Sequence, residues 1–153
     1  MRRRALLKTT VQATALTALG AAGLLPRLAF AEWPTEAFHA EELDAVLTDL
    51  FGDQVATDSD KIKLTAPDIA ENGRVVPVEV EIDLPAPKTL VLLSDGNPFP
   101  LLARAHFTPD VEPRVSIRVK MGQSANLIAL VEADGNLHRA TRAVKVTAGG
   151  CGG

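Results

Sequence analysis

Two periodicities divide the chain. Leu43, Val46, Leu47 and Leu50 recur at helical spacing and fall on one face. Pro34-Thr35 opens this segment, with Thr35 placed to cap it and Glu36 near the positive end of the helix dipole. Gly52 follows Phe51 and supplies a left-handed C-cap. The pattern predicts one helix over about 35–51 and a polar loop from Asp53 to Asp60.

Beyond residue 60 the period becomes two. Ile62 and Leu64 alternate with Lys61, Lys63 and Thr65. Val76, Val78, Val80 and Ile82 point one way, and Pro77, Glu79, Glu81 and Asp83 the other. Ala103, Ala105 and Phe107 alternate with Arg104 and His106, and Val115, Ile117 and Val119 with Arg114, Ser116, Arg118 and Lys120. Leu90–Leu93 and Leu127–Val131 are nearly continuous apolar runs, as expected of strands buried on both faces. Arg139–Thr147 closes the set with Val144 and Val146 inward. Turn residues fall between the strands at Asn72-Gly73, Asp95-Gly96-Asn97-Pro98 and Asp134-Gly135-Asn136. The chain therefore reads as mostly β. The predicted fold is an immunoglobulin-like antiparallel β-sandwich of about seven strands, with one N-terminal helix before it and a flexible C-terminal Gly-Cys arm after it. It lacks the Cys…Trp…Cys pattern of antibody domains, since its one Trp, Trp33, precedes the helix. The acidic outer face Glu79, Glu81, Asp83 and the basic one Arg114, Arg118, Lys120 either pair across a sheet or are solvated separately.

The first 31 residues fit neither period. Arg2-Arg3-Arg4 precede Ala5-Leu6-Leu7-Lys8, a mildly apolar stretch runs from about Thr9 to Leu25, and Ala29-Phe30-Ala31 offers small residues at the cleavage positions. This reads as an export signal cut between Ala31 and Glu32. The Arg pair followed by Leu-Leu-Lys is similar to a twin-arginine signal; a Sec signal is the alternative. The stretch carries Thr9, Thr10, Gln12, Thr14 and Thr17, too polar for a spanning helix, so no membrane insertion is expected. Three segments result: a cleaved signal, 1–31; a helix-plus-sandwich domain, 32–147; and a flexible arm, 148–153.

The signal changes the charge. The whole chain of 153 residues carries 16 basic and 19 acidic residues, a net −3. Five of the basic residues and none of the acidic ones lie in the signal, which leaves 11 basic against 19 acidic and a net −8 for the exported part. Such a chain does not suit nucleic acid.

Catalytic constellations are missing. His39, His106 and His138 lie on different predicted elements, and surface positions account for all three. No zinc-protease, nucleophile-elbow or phosphate-loop motif occurs, and one Cys excludes a disulfide within the chain or a multi-cysteine metal site. That Cys is Cys151, between Gly149-Gly150 and Gly152-Gly153. A catalytic Cys needs a rigid site beside its base, whereas glycines make a segment flexible and thin. From Val146 to Cys151 the chain reaches roughly 17 Å when extended. The pattern suits a covalent carrier, with an accessible thiol on a swinging arm that threads a partner's cleft and joins oxidatively to another sulfur. An exported binding module that dimerises through a Cys151 disulfide is the alternative. A conjugation handle or a thiol sensor is weaker, the latter lacking a resolving Cys.

The sequence resembles the SoxY family, the sulfur carriers of the thiosulfate-oxidising Sox system. The resemblance covers essentially the whole chain: the twin-arginine-like start, the helix, Ile62–Gly73, Val75-Val76-Pro77-Val78 and, most specifically, Gly149-Gly150-Cys151-Gly152-Gly153. It implies a periplasmic, non-enzymatic subunit, paired as a heterodimer with a SoxZ-like sandwich protein. It implies that Cys151 is the sulfur attachment site, with Gly149, Gly150, Gly152 and Gly153 giving reach and clearance. It further implies transient docking to a haem enzyme (SoxAX) that couples thiosulfate to the Cys, a dinuclear-manganese hydrolase (SoxB) and, in some hosts, a sulfane dehydrogenase (SoxCD). No resident cofactor is expected beyond the sulfur carried on Cys151.

Overall fold

A computed structural model describes residues 34–147. The signal, its cleavage position and the arm 148–153 lie outside the described residues. Two helices, α1 (Thr35–His39) and α2 (Leu43–Phe51), precede nine strands: β1 (Thr57–Asp58), β2 (Ile62–Thr65), β3 (Ile69–Ala70), β4 (Val76–Ile82), β5 (Pro87–Ser94), β6 (Leu101–His106), β7 (Arg114–Val119), β8 (Ala125–Ala133) and β9 (Asn136–Val146). The larger sheet runs β1-β9-β8-β5-β6, with β3 also on β9, and the smaller runs β2-β4-β7.

The alternating residues form the core between the sheets. Val76, Val78, Val80 and Ile82 from the small sheet meet Leu90, Leu92, Leu127, Ala129 and Val131 from the large one. Each large side chain fully buried here contributes roughly 1.5–3 kcal/mol. The remaining residues of the continuous runs, Val91, Leu93 and Leu130, face outward, where a second apolar cluster forms with Ala37 and Val46 of the helices. The apolar runs are thus buried on both sides because a helical layer covers the outer face of the large sheet.

The helical segment is not one helix. Ala40 is extended (φ −68°, ψ 133°) and Glu42 caps α2 in an extended conformation (φ −107°, ψ 134°). The reason lies in the pattern itself. Ala37 and Val46 are both fully buried. Nine residues at about 100° each would put them on opposite sides of a straight helix. The break at 40–42 turns both to the sheet. Thr35 is a helical residue rather than the cap, which is Pro34 and makes no side-chain cap bond. Gly52 closes α2 at positive φ (61°), as expected, but its ψ of −130° lies outside the left-handed helical region; its N–H donates to the Thr48 carbonyl at 2.9 Å.

Seven of the nine strands match the expected ones, five from the alternating segments and two, β5 and β8, from the continuous apolar runs. The other two, β1 inside the expected loop 53–60 and β3, are two residues each and pair with β9 in parallel, so the sandwich is not wholly antiparallel. They cover the edge of β9 that β8 leaves open, a protection against edge-to-edge association. The β8–β9 hairpin turns on Asp134 (φ 49°) and Gly135 (φ 75°), the positive-φ pair such two-residue turns require.

Strand directions sort the loops into two ends. Loops 71–75, 95–100 and 120–124 gather where β9 finishes, here the arm end. Loops 59–61, 83–86, 107–113 and 134–135 gather at the opposite, far end.

Candidate functional site at the root of the arm

Cys151, Gly149, Gly150, Gly152 and Gly153 lie outside the described residues, which reach the arm's root at Thr147. That root is fastened on both sides. Toward β3, Lys145 N–H donates to the Asp68 carbonyl at 2.9 Å and Thr147 N–H to the Ala70 carbonyl at 3.1 Å. Toward β8, Val146 N–H donates to Ser124 Oγ at 2.9 Å, and the same hydroxyl lies 3.3 Å from the Val146 carbonyl. Ser124 thereby continues the ladder one step past the last β8–β9 pair, Ala125–Val144. Arg142 ties the incoming segment down, its Nε donating to the Ala66 carbonyl at 2.8 Å and its Nη2 to Asp68 at 2.9 Å.

Loops from two other strands close on this root. Met121 N–H donates to the Gly73 carbonyl at 2.7 Å. A β-carbon at Gly73 would lie 2.3 Å from the Met121 carbonyl oxygen and 2.9 Å from Val146 Cγ1. Only a residue without a side chain lets the loop after β3, the loop after β7 and the end of β9 meet. The expected turn at Asn72-Gly73 is present, with Asn72 Oδ1 accepting from Arg74 N–H at 3.0 Å. Asp95 and Asn97 stitch the third loop to the same end, Asp95 through Asn126 and Asn97 through Lys120 and Gly122.

From Thr147 four more residues, at most about 14 Å extended, reach Cys151. Neither His106 nor His138 stands at this end. His138 is at the start of β9, nine residues or about 30 Å of strand from Thr147. His106 ends β6 at the far end, its Nδ1 3.2 Å from Thr89 Oγ1. His39 is exposed at the end of α1. No group of three or more His, Cys, Asp or Glu side chains among the described residues could hold a metal ion. An apolar hollow of about 200 Å³ lies between α2 and the large sheet, and Arg139 is the one titratable residue lining it. No helix among the described residues is long and apolar enough to cross a membrane.

The charged outer faces pair in part: Arg114 meets the acidic face, while Asp83, Arg118 and Lys120 have no ion pair among the described residues. β4 and β7 lie antiparallel with Glu81 opposite Arg114. Arg114 binds Glu79, and Lys63 binds Glu81 at 2.6 Å. A further pair, Arg139–Asp58 at 2.7 Å, joins β9 to β1. The Lys63 ammonium holds the Glu81 carboxyl below its ordinary value, and the Arg139 guanidinium does the same for Asp58. These pairs sit on the half of the molecule away from the arm. Sequence reasoning missed Ser124 and the closure of Gly73 on Met121; neither leaves a local signal, because both depend on contacts between distant segments.

Comparison with known proteins agrees with this geometry. The model of the family "Sulfur oxidation protein SoxY" matches residues 47–151, a span that includes the lone Cys. The solved structure of the sulfur carrier protein SoxY from Chlorobium limicola f thiosulfatophilum is 38% identical, with a TM-score of 0.64, over 69% of this chain and 96% of that one. Superoxide reductase (neelaredoxin) from Ignicoccus hospitalis is 25% identical, with a TM-score of 0.51, over 57% of this chain and 80% of that one. No curated protein sequence matches. Matched by that family model over more than half its length, the chain belongs to the SoxY family of sulfur oxidation proteins.

Proposed function

We propose that this protein is a covalent sulfur carrier of thiosulfate oxidation, with Cys151 as the attachment site and residues 148–153 as its swinging arm. The observation that carries the reading is the family match running through Cys151. The root geometry supports it: a sandwich fastened as far as Thr147 gives a fixed body from which a short arm can enter a partner's cleft. Gly149, Gly150, Gly152 and Gly153 keep that arm narrow.

In the proposed cycle the outer sulfur of thiosulfate bonds to the Cys151 sulfur. The thiol proton is released, and two electrons pass to a haem partner of the SoxAX kind. Water then cleaves the bond to the terminal sulfonate on a SoxB-type hydrolase, releasing sulfate and leaving a persulfide on Cys151. A SoxCD-type dehydrogenase, where present, oxidises that sulfur, and hydrolysis repeats. The carrier itself supplies binding, reach and presentation, without a resident cofactor, in the periplasm and as a heterodimer with a SoxZ-like subunit. Export by the twin-arginine route would deliver it already folded.

The test is intact-mass analysis of the heterodimer after incubation with thiosulfate and the haem enzyme. The wild type gains a thiosulfate-derived adduct and Cys151→Ser gains none. An oxidised wild type that instead accumulates only as a Cys151-linked dimer would favour the disulfide-dimer alternative.

A further inference from the structure

The arm's root is surrounded by unpaired positive charge on an otherwise acidic molecule. Gly73 and Met121 touch each other and Val146, and their sequence neighbours are Arg74 and Lys120. Both side chains are exposed. Continuing the β4–β7 register past Val76–Val119 sets Val75 opposite Lys120 and Arg74 opposite Met121. Arg118, opposite Pro77, lies on the same outer face as Lys120, while Arg74, opposite the buried Met121, falls at the alternate parity beside it. Lys145, one residue before Val146, is exposed on β9. Among the described residues none of these four side chains has an ion-pair partner. By contrast Lys63, Arg114, Arg139 and Arg142 are all paired.

The acids of this end do not cancel the excess. Asp68 is neutralised by Arg142, whereas Asp95, which accepts hydrogen bonds only from the neutral Asn126, keeps its charge. With exposed Glu71 it leaves two anions to oppose four cations. Positive side chains clustered at one place raise the local concentration of anions and speed their encounter there, an effect that salt screens.

We propose that Arg74 and Lys120, flanked by Arg118 and Lys145, form an anion-attracting collar at the base of the arm that selects anionic sulfur compounds for the Cys151 thiol. Cys151 is at most about 14 Å of chain from Thr147, a reach shorter than the roughly 30 Å over which charges act at about 0.01 M salt. Sulfonate-bearing and thiosulfate-like dianions are the ligand class that gains most, and neutral or cationic thiol reagents gain nothing. The inference rests on Cys151 being the acceptor. It assigns substrate selection to residues of the sandwich, where the carrier reading assigns them only docking.

The collar can be tested without any partner enzyme. Cys151 of the exported chain is modified with an anionic thiol reagent (ethylsulfonate methanethiosulfonate) and with its cationic trimethylammonium counterpart. Rates are followed by intact mass and compared with those of a free Gly-Gly-Cys-Gly-Gly peptide. At about 0.01 M salt, where charges act over roughly 30 Å, the protein should favour the anionic reagent about threefold to tenfold more than the peptide does. At about 1 M salt, where that range falls to roughly 3 Å, the preference should vanish. Arg74→Glu with Lys120→Glu should invert it, and Arg74→Gln with Lys120→Gln, the milder pair, should abolish it. Lys61→Glu with Lys88→Glu, an equal charge change at the far end, should leave it nearly intact. A wild-type preference equal to the peptide's at low salt, or one that the collar variants do not move more than the far-end variant, would overturn the proposal. Because the reagents are not thiosulfate and no haem enzyme is present, the collar can stand if the carrier reading fails, and the reverse.

Discussion

The two ends of the sandwich solve the same problem of joining strands by different means. The far-end loops carry Asp60, Asp83, Asp110, Glu112 and Asp134, and the neighbouring strands carry the Lys63–Glu81, Arg114–Glu79 and Arg139–Asp58 pairs. The arm end relies on tight packing and hydrogen bonds to backbone groups, at Gly73, Ser124, Asn97 and Asp95, and leaves Arg74, Arg118, Lys120 and Lys145 unpaired among the described residues. Exposed ion pairs contribute little to stability, so these three pairs mainly neutralise one another, and the far-end loops keep an excess of unpaired acids over Lys61 and Lys88. The two ends thus differ in packing and in sign: unpaired cations gather at the tightly closed arm end and unpaired acids at the far end.

The sharpest break of this contrast is steric. Gly73→Ala puts a methyl into the Met121 backbone and should destabilise the domain by about 2–3 kcal/mol, as overpacking does. Thermal unfolding would register a clear fall in Tm. Gly135→Ala, at the far end, meets no atom but must hold φ 75°, so its cost is conformational, about 1–2 kcal/mol. If the far-end variant proved the more damaging, the arm end would not be the tightly closed one.

Ser124→Ala removes the hydroxyl that clamps Val146 and should cost about 1 kcal/mol. Hydrogen exchange gives the more telling readout: the Val146 amide should lose protection while Leu130 and Val131, mid-strand in β8, keep theirs.

The smallest expected effect is the pH response of the far end. Asp58 and Glu81 titrate below their ordinary values in the folded chain, so the stability they add is present above the ordinary carboxylate range. It is lost as pH falls below about 4 and through the lowered folded values. Asp58→Asn with Glu81→Gln should flatten the acid limb of a stability–pH curve slightly and leave it unchanged near neutrality. A change at neutral pH as large as that of Ser124→Ala would mean these pairs carry more than surface electrostatics.

Much of this architecture is legible in residue patterns. The alternation at Val76–Ile82 specifies a core face directly, because a strand's side chains have a period of two. The double burial of Leu90–Leu93 is legible too, though not what covers it. The helix break was hidden: Leu43–Leu50 sets one face, but only the shared burial of Ala37 and Val46 against one sheet requires the turn at 40–42. β1 and β3 are too short to show any period and exist because β9 offers them an edge. Whether the acidic face meets the basic one stays open until the register sets Glu81 opposite Arg114, and the Lys63–Glu81 pair comes only with the β2–β4 register. At the site, the lone Cys151 and its glycines were visible at once, since their meaning is local. The root was not, because residues 73, 121, 124 and 146 meet only when four segments close on one another.

The central claim concerns one atom, the Cys151 sulfur, and locating the bound sulfur by mass tests it most directly. After turnover with thiosulfate and the haem partner, proteolytic peptides of the carrier are mapped. The account predicts a thiosulfate-derived mass on the peptide containing Cys151 and on no other, absent in Cys151→Ser. A Cys151 peptide that stays unmodified while thiosulfate is consumed, or an adduct that survives in Cys151→Ser, would contradict it.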